Sequence, residues 1–179
     1  VTVLRGHGRF IDRRTVEAAG SLIHARRYVL ATGSRPAIPA IPGLDALPYL
    51  TNETVFDLTR RPERLLVLGG GPVGVELAQA HRRLGAEVTL VESATLLSRD
   101  DPEAAAAVRR ALLAEGIVIH EGAKALRAEV GAKGGVTLII EDEAGQASVT
   151  GSHLLVATGR RAAIDDLGLD DAGITAEAG

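Results

Sequence analysis

The chain has 179 residues, of which 46% are hydrophobic and 24% charged, with a formal net charge of −3; this is the make-up of a soluble globular protein, short for a two-domain enzyme. Its interspersed charges argue against a nucleic-acid surface, and an aromatic content of 2% leaves little for stacking bases. Zero cysteines exclude disulfides, thiolate nucleophiles and Cys-ligated metals within these residues.

In chain order, the first segment reads as an antiparallel meander with a turn at Ala19-Gly20. It is followed by Arg27-Tyr28-Val29-Leu30-Ala31-Thr32-Gly33-Ser34-Arg35, an apolar run closed by a tight turn. A proline-rich connector, Pro36 to Pro48, comes next. Arg64-Leu65-Leu66-Val67-Leu68 is then a continuous apolar run of the kind found in buried parallel strands. Gly69-Gly70-Gly71-Pro72-Val73-Gly74 follows at once, a helical pattern runs from Val73 to Leu84, and Glu87-Val88-Thr89-Leu90-Val91 forms a second strand ending on Glu92.

Strand, glycine turn, helix, strand and acid, in that order, define a dinucleotide-binding unit. Gly69 permits the sharp exit from the strand. Gly71 lets backbone approach a pyrophosphate, and Gly74 lets the helix pack tightly on the sheet. Pro72 suits a first helical turn, whose free N–H groups and dipole attract phosphate. Glu92, 18 residues after Gly74, stands where a carboxylate accepts hydrogen bonds from ribose hydroxyls and repels a 2′-phosphate. No Arg or Lys follows until Arg99, so the expected cofactor is NAD rather than NADP.

A second helix is expected from Asp101 as N-cap and Pro102 in the first turn, stopping before Gly116, with Val108 and Leu112 on its apolar face. Gly116-Ile117-Val118-Ile119-His120 reads as the third strand. Lys124 to Val130, Val136 to Glu141 and Ala147 to Thr150 read as a second meander, with turns at Gly131 to Gly135 and Asp142 to Gln146. His153-Leu154-Leu155-Val156-Ala157-Thr158-Gly159-Arg160-Arg161 then repeats the pattern of residues 27–35, again after an Ala-Gly turn, here Ala144-Gly145. Both runs are expected to be last parallel strands of similar units. Only the second unit has its βαβ, so the first unit's own glycine loop is expected upstream of Val1, and the chain is expected to be a middle piece. Its start at Val1 and its lack of Met fit that expectation.

The histidines (His7, His24, His81, His120 and His153) show no metal-ligand spacing, and no G-x-S-x-G elbow is present. Asp100, Asp101 and Glu103 are read as helix-capping acids, and no metal site is assigned. No apolar run approaches the length of a membrane span and no signal peptide is recognisable, so the cytoplasm is expected.

The residues resemble the pyridine nucleotide-disulfide oxidoreductases, which include dihydrolipoamide dehydrogenase, mercuric reductase and glutathione reductase. The likeness runs from Ala31-Thr32-Gly33-Ser34-Arg35-Pro36 and Ile41-Pro42-Gly43, through Gly69 to Glu92, to Ala157-Thr158-Gly159-Arg160 and Ala172-Gly173-Ile174. It implies an α/β fold: a Rossmann-like domain, with a parallel sheet and antiparallel meander, flanked by part of an FAD-binding domain. Residues 1–60 would be FAD-domain chain and connector, 61–160 the NAD(P)-binding domain, and 161–179 the return segment. Thr32, Gly33 and Ser34 would lie against FAD. Gly69, Gly70, Gly71, Pro72, Val73, Gly74, Val75, Glu76 and Glu92 would hold NAD, and Ala125 and Gly159 would complete that site. Glu76 matches the carboxylate that supports a lysine near the flavin, a supporting catalytic role; the residues alone leave open a solvated helix-face position or burial among Val75, Leu77 and Ala78 in the full protein.

Two departures stand out. Arg160 is followed by Arg161-Ala162-Ala163 rather than Pro-Asn, and neither the redox C-x-x-x-x-C nor the His-Glu pair is present. The implied function is passage of hydride between NAD(H) and flavin, then to a disulfide or a thiol-held mercuric ion, in a full-length homodimer. The alternatives are a flavin NADH oxidase or ferredoxin reductase without a redox disulfide, and a non-catalytic NADH-binding module. A small-molecule or disulfide substrate is expected, with no nucleic-acid or membrane partner.

Overall fold

The computed structural model describes residues 1–131 and 134–176. It divides into two compact units, residues 1–35 with 160–179 and residues 36–159.

In the first unit, β1 (Gly8–Asp12), β2 (Thr15–Ala18) and β3 (Ser21–His24) form an antiparallel meander. The β2–β3 turn is Ala19-Gly20, as the sequence suggests. Both residues have positive φ, 50° and 72°, the form that matches the twist of a two-residue hairpin. Phe10 is buried and meets the Tyr28 ring edge-on at 5.0 Å. The Tyr28 hydroxyl lies 2.7 Å from the carbonyls of Arg14 and Ile23 and accepts from the Ala25 N–H. β4 (Ser34–Pro36) later pairs with β12 (Arg160–Ala162).

The expected strand over Arg27–Thr32 is not formed. That stretch is irregular and Val29 is 90% exposed. A parallel strand needs a neighbour to take its N–H and C=O groups, and no ladder partner flanks this run among the described residues. Its sequence twin has one, which is why the two similar segments differ in structure.

The second unit is built on four parallel strands: β5 (Arg64–Leu68), β6 (Glu87–Val91), β7 (Val118–His120) and β11 (His153–Val156), in the order β11-β5-β6-β7. β5 is followed by α1 (Pro72–Arg83) and β6 by α2 (Pro102–Ala114). Between β7 and β11 lies the antiparallel sheet of β8 (Lys124–Val130), β9 (Val136–Asp142) and β10 (Gly145–Gly151). The expected turn at Gly131 to Gly135 includes Ala132 and Lys133, which fall outside the described residues.

Side chains alternate along β5, and this makes the unit a three-layer stack. Leu65 and Val67 join Val75, Leu77, Ala78 and Leu112 of the two helices in one core cluster. Leu66 and Leu68 join Ala128, Val136, Leu138 and Ile140 of the meander in another. β5 is covered on both faces, which is why it reads as an unbroken apolar run.

Residues 36–60, which the sequence reading groups with the first segment, pack with this second unit. Leu44 and Leu47 are buried in its meander-side cluster. Leu50 lies beside Leu155 in a parallel bridge, its N–H donating to the Leu154 carbonyl at 2.7 Å and its carbonyl accepting from the Val156 N–H at 2.8 Å. The connector thereby covers the outer edge of β11.

Asp101 caps α2 as expected, accepting from the N–H groups of Glu103 and Ala104 at 2.9 and 3.1 Å. The far ends of the helices are tied together. Arg82 Nε donates to the Glu115 carbonyl at 2.7 Å, and Arg83 pairs with the Glu115 carboxylate at 2.7 Å. The Arg83 hydrogen bond holds that carboxyl below its usual range.

Chemical unfolding should rank the layers. Leu138→Ala, from a fully buried site, is expected to cost about 2–5 kcal/mol. Asp101→Ala is expected to cost about 1 kcal/mol, from lost capping alone.

Candidate functional site

All four parallel strands deliver their carboxyl ends to the same edge of the sheet. The chain progresses from β5 through β6 to β7 on one side, while β11 lies on the other side of β5. The reversal of strand order therefore falls between β5 and β11, the position where open α/β sheets bind ligands. The glycine turn leaves β5 at that point.

The glycines of this turn answer to different constraints. Gly69 has φ +110°, and a Cβ there would run into the Ala157 carbonyl beyond β11. A Cβ on Gly74 would strike the Gly69 carbonyl, so the helix could not approach the strand. At Gly70 a Cβ would meet Leu96 and stand 2.9 Å from the Glu92 Cβ. Gly71 differs: nothing lies within 4 Å of its would-be Cβ. Three of these glycines are required by protein packing. The fourth faces open space at the start of a helix.

That helix start carries no side-chain cap. Pro72 has no N–H to satisfy, and the N–H groups of Val73 and Gly74 belong to the turn whose donors lack helical acceptors. Val73 is 39% exposed, whereas Gly74 and Val75 are buried against the sheet. An uncapped helix N-terminus with a side-chain-free approach suits the pyrophosphate of a dinucleotide in charge and in space.

Glu92 stands beside this turn, half-buried. Its Oε2 accepts from the Gly70 N–H at 2.6 Å, and its Oε1 accepts from the Ala94 N–H at 2.7 Å and the Ser93 hydroxyl at 3.1 Å. The glycine turn and the acid, 22 residues apart, thus form one hydrogen-bonded unit. A carboxylate has about four acceptor positions, so one on Oε2 is left for an incoming donor.

The other expected residues are placed less tightly. Gly159, with φ +131°, follows β11 in open space, and its carbonyl accepts from the Ala37 N–H at 2.9 Å. Ala125 lies at a bulge in β8 and packs on the meander-side cluster. Glu76 is exposed on α1: its apolar neighbours turn inward while the helical period turns it outward. In the first unit, Thr32 is exposed and Gly33 has φ +73° with nothing near its Cβ direction. Ser34 Oγ accepts from Arg160 Nε at 2.7 Å.

Sequence reasoning missed Leu96, Leu97 and Glu121. The Leu97 N–H donates to the Gly70 carbonyl at 2.9 Å, and the Leu96 N–H donates to Glu121 Oε1 at 2.8 Å. An acid directly after the third strand, at the same sheet edge as Glu92, was the available signal. Among the described residues no cluster of potential ligands could hold a metal ion.

The whole chain, residues 1–179, matches the family described as pyridine nucleotide-disulphide oxidoreductase. This protein belongs to that family. It is 40% identical over 177 residues to a mercuric reductase of Streptomyces lividans, and 40% identical over 184 residues to a dihydrolipoyl dehydrogenase of Thermus scotoductus. The alignments cover 96% and 97% of this chain but only 37% and 38% of those proteins. The HOCl-induced flavoprotein disulfide reductase RclA of Escherichia coli, solved as a Cu(II) complex, superposes with a TM-score of 0.82 at 29% identity. That match covers 96% of this chain and 39% of RclA. The chain spans well under half the length of these relatives.

The glycine geometry predicts unequal substitutions. Gly71→Ala should keep its melting temperature within a few degrees of the unsubstituted chain, an effect of about 0.5 kcal/mol or less. Gly70→Ala and Gly74→Ala should each lower stability by more than about 2 kcal/mol, because backbone or buried side chains must move. Thermal melts of the three variants check this.

Proposed function

We propose that this chain supplies the NAD-binding portion, and part of the FAD-binding portion, of an FAD-dependent oxidoreductase. In the whole enzyme hydride would pass between NAD(H) and the flavin, and electrons would continue to a disulfide or a thiol-held mercuric ion. Bound cofactors supply that redox chemistry, and the protein supplies orientation and electrostatics. The observation that carries the reading is the pairing of an open Gly71 at an uncapped helix start with a carboxylate beside the same turn.

Within the proposal the residues have separate tasks. Gly69 to Val75 form the cradle, and the N–H groups of Val73 and Gly74 receive the pyrophosphate. Glu92 uses its remaining acceptor position for an adenosine ribose hydroxyl, and its charge disfavours a 2′-phosphate. Ala125 and Gly159 border the nicotinamide half. Thr32, Gly33 and Ser34 face the flavin nucleotide, a role that the exposure of Thr32 and the open space at Gly33 support. Glu76, exposed on α1, stands ready to meet a lysine supplied by another part of the protein.

The relatives named mercuric reductase and dihydrolipoyl dehydrogenase support the two acceptors named above. The same reading takes the full-length protein to be a cytoplasmic homodimer acting on a small-molecule or disulfide substrate. Among the described residues, no helix is long and apolar enough to cross a membrane.

Direct titration of the chain with NADH and NADPH tests the cofactor assignment. NADH is expected to bind more tightly, by about tenfold, and Glu92→Ala should narrow that gap. Because Glu92 also holds Gly70, Glu92→Gln serves as the control that keeps an acceptor while removing charge. Equal affinity for the two nucleotides in the unsubstituted chain would overturn the assignment.

A further inference from the structure

Beyond β6 the chain forms a loop, residues 93–101, that the cofactor cradle described above does not use. Its backbone is nevertheless held at several points. Two consecutive amides, Leu96 and Leu97, donate to different acceptors: the Glu121 carboxylate at 2.8 Å and the Gly70 carbonyl at 2.9 Å. The Ala94 carbonyl accepts from the Gly122 N–H at 2.9 Å, and the Leu97 carbonyl from the Asp100 N–H at 2.8 Å. Leu96 is 3% exposed, with its side chain in the direction that a Cβ on Gly70 would take. The loop thus bridges the end of β7 to the glycine turn.

This bridge contains a strained residue. Leu97 has φ +53°, a left-handed conformation that costs a side-chain-bearing residue energy and persists only where its surroundings enforce it. Here the enforcement is the pair of hydrogen bonds at residues 96 and 97. Glu121 is itself fixed by α2, where Arg109 Nε donates to its Oε2 at 2.5 Å. Burial would push the Glu121 carboxyl up, but the Leu96 N–H and the hydrogen bond and charge of Arg109 together hold it below its ordinary value. It is therefore ionised at neutral pH, and its bond to the Leu96 N–H is charge-assisted.

We propose that Glu121 is a positioning residue for nucleotide recognition: with Arg109 it latches the residue 93–101 loop onto Gly70, fixing the turn to which Glu92 is bonded. Release of Leu96 lets Leu97 leave its strained conformation, and the Gly70 carbonyl then loses its donor. The peptide plane beside it rotates more freely, and the Glu92–Gly70 bond loosens with it. The latch thus acts on the adenosine side of the site. The inference rests on the NAD reading above, since it assumes that Glu92 and the glycine turn hold the adenosine half.

The test is to measure dissociation constants for NADH, NADPH and ADP-ribose with the full chain and with Glu121→Ala, Glu121→Gln and Arg109→Leu. Glu121→Ala is expected to weaken NADH and ADP-ribose in parallel, by about tenfold, and NADPH by less, so that the preference for NADH shrinks. Glu121→Gln keeps an oxygen for the Leu96 N–H and should restore most of the loss and the preference for NADH, whereas a general loss of stability would weaken NADH and NADPH alike. Arg109→Leu should fall between them. If Glu121→Ala does not fold, Arg109→Leu carries the test, and wild-type affinity and preference in it would overturn the latch. A folded Glu121→Ala with unchanged affinity and preference would also overturn it. Failure of the unsubstituted chain to bind either NADH or ADP-ribose would instead defeat the nucleotide-binding reading itself.

Discussion

The candidate site depends on the confinement of one residue, Gly70. Gly70 gives its N–H to Glu92 and receives the Leu97 N–H on its carbonyl, while Leu96 and Glu92 fill the space where its side chain would be. These contacts all come from residues 92–97, more than 20 positions beyond Gly70 in the sequence. A backbone group held on both sides cannot relax when a ligand approaches, so the adjoining Gly71 and the start of α1 present donors in a fixed geometry. Such preorganisation reduces the ordering cost that binding would otherwise incur.

That confinement is possible because the parallel strands are rigidly placed. β5 is buried on both faces, between helices on one side and the β8–β10 meander on the other. The registers β5–β6 and β6–β7 bring Gly69, Glu92 and Glu121 to one edge. The backbone carries the alignment further, since the Gly69 N–H donates to the Val91 carbonyl and the Glu92 N–H to the His120 carbonyl, both at 2.8 Å. The connector at Leu50 closes the outer edge of β11, on the side away from β5.

Much of this was legible in the sequence because its signals are local. The βαβ order, the Asp101 cap, the meander strands and the glycine turn each follow from a few adjacent residues, and Gly69, Gly74 and Glu92 stand where the motif places them. The failures share a physical cause. The run Arg27–Thr32 has strand composition but no described neighbour to complete a ladder, and composition cannot supply one. The crowding at Gly70 and the Glu121–Arg109 pair arise from residues brought together across the sheet edge, and no spacing rule encodes them. Residues 36–48 read as a connector by proline content, and Leu44 and Leu47 within them pack into the second unit.

The central claim is that the turn after β5 and the acid after β6 together form a dinucleotide site. The most direct measurement is residue-resolved amide chemical-shift change on titration of the chain with ADP-ribose. The account predicts that the largest saturable changes fall on Gly70, Gly71, Val73, Gly74 and Glu92. Changes absent from those amides, or concentrated away from the carboxyl edge of the parallel sheet, would contradict it.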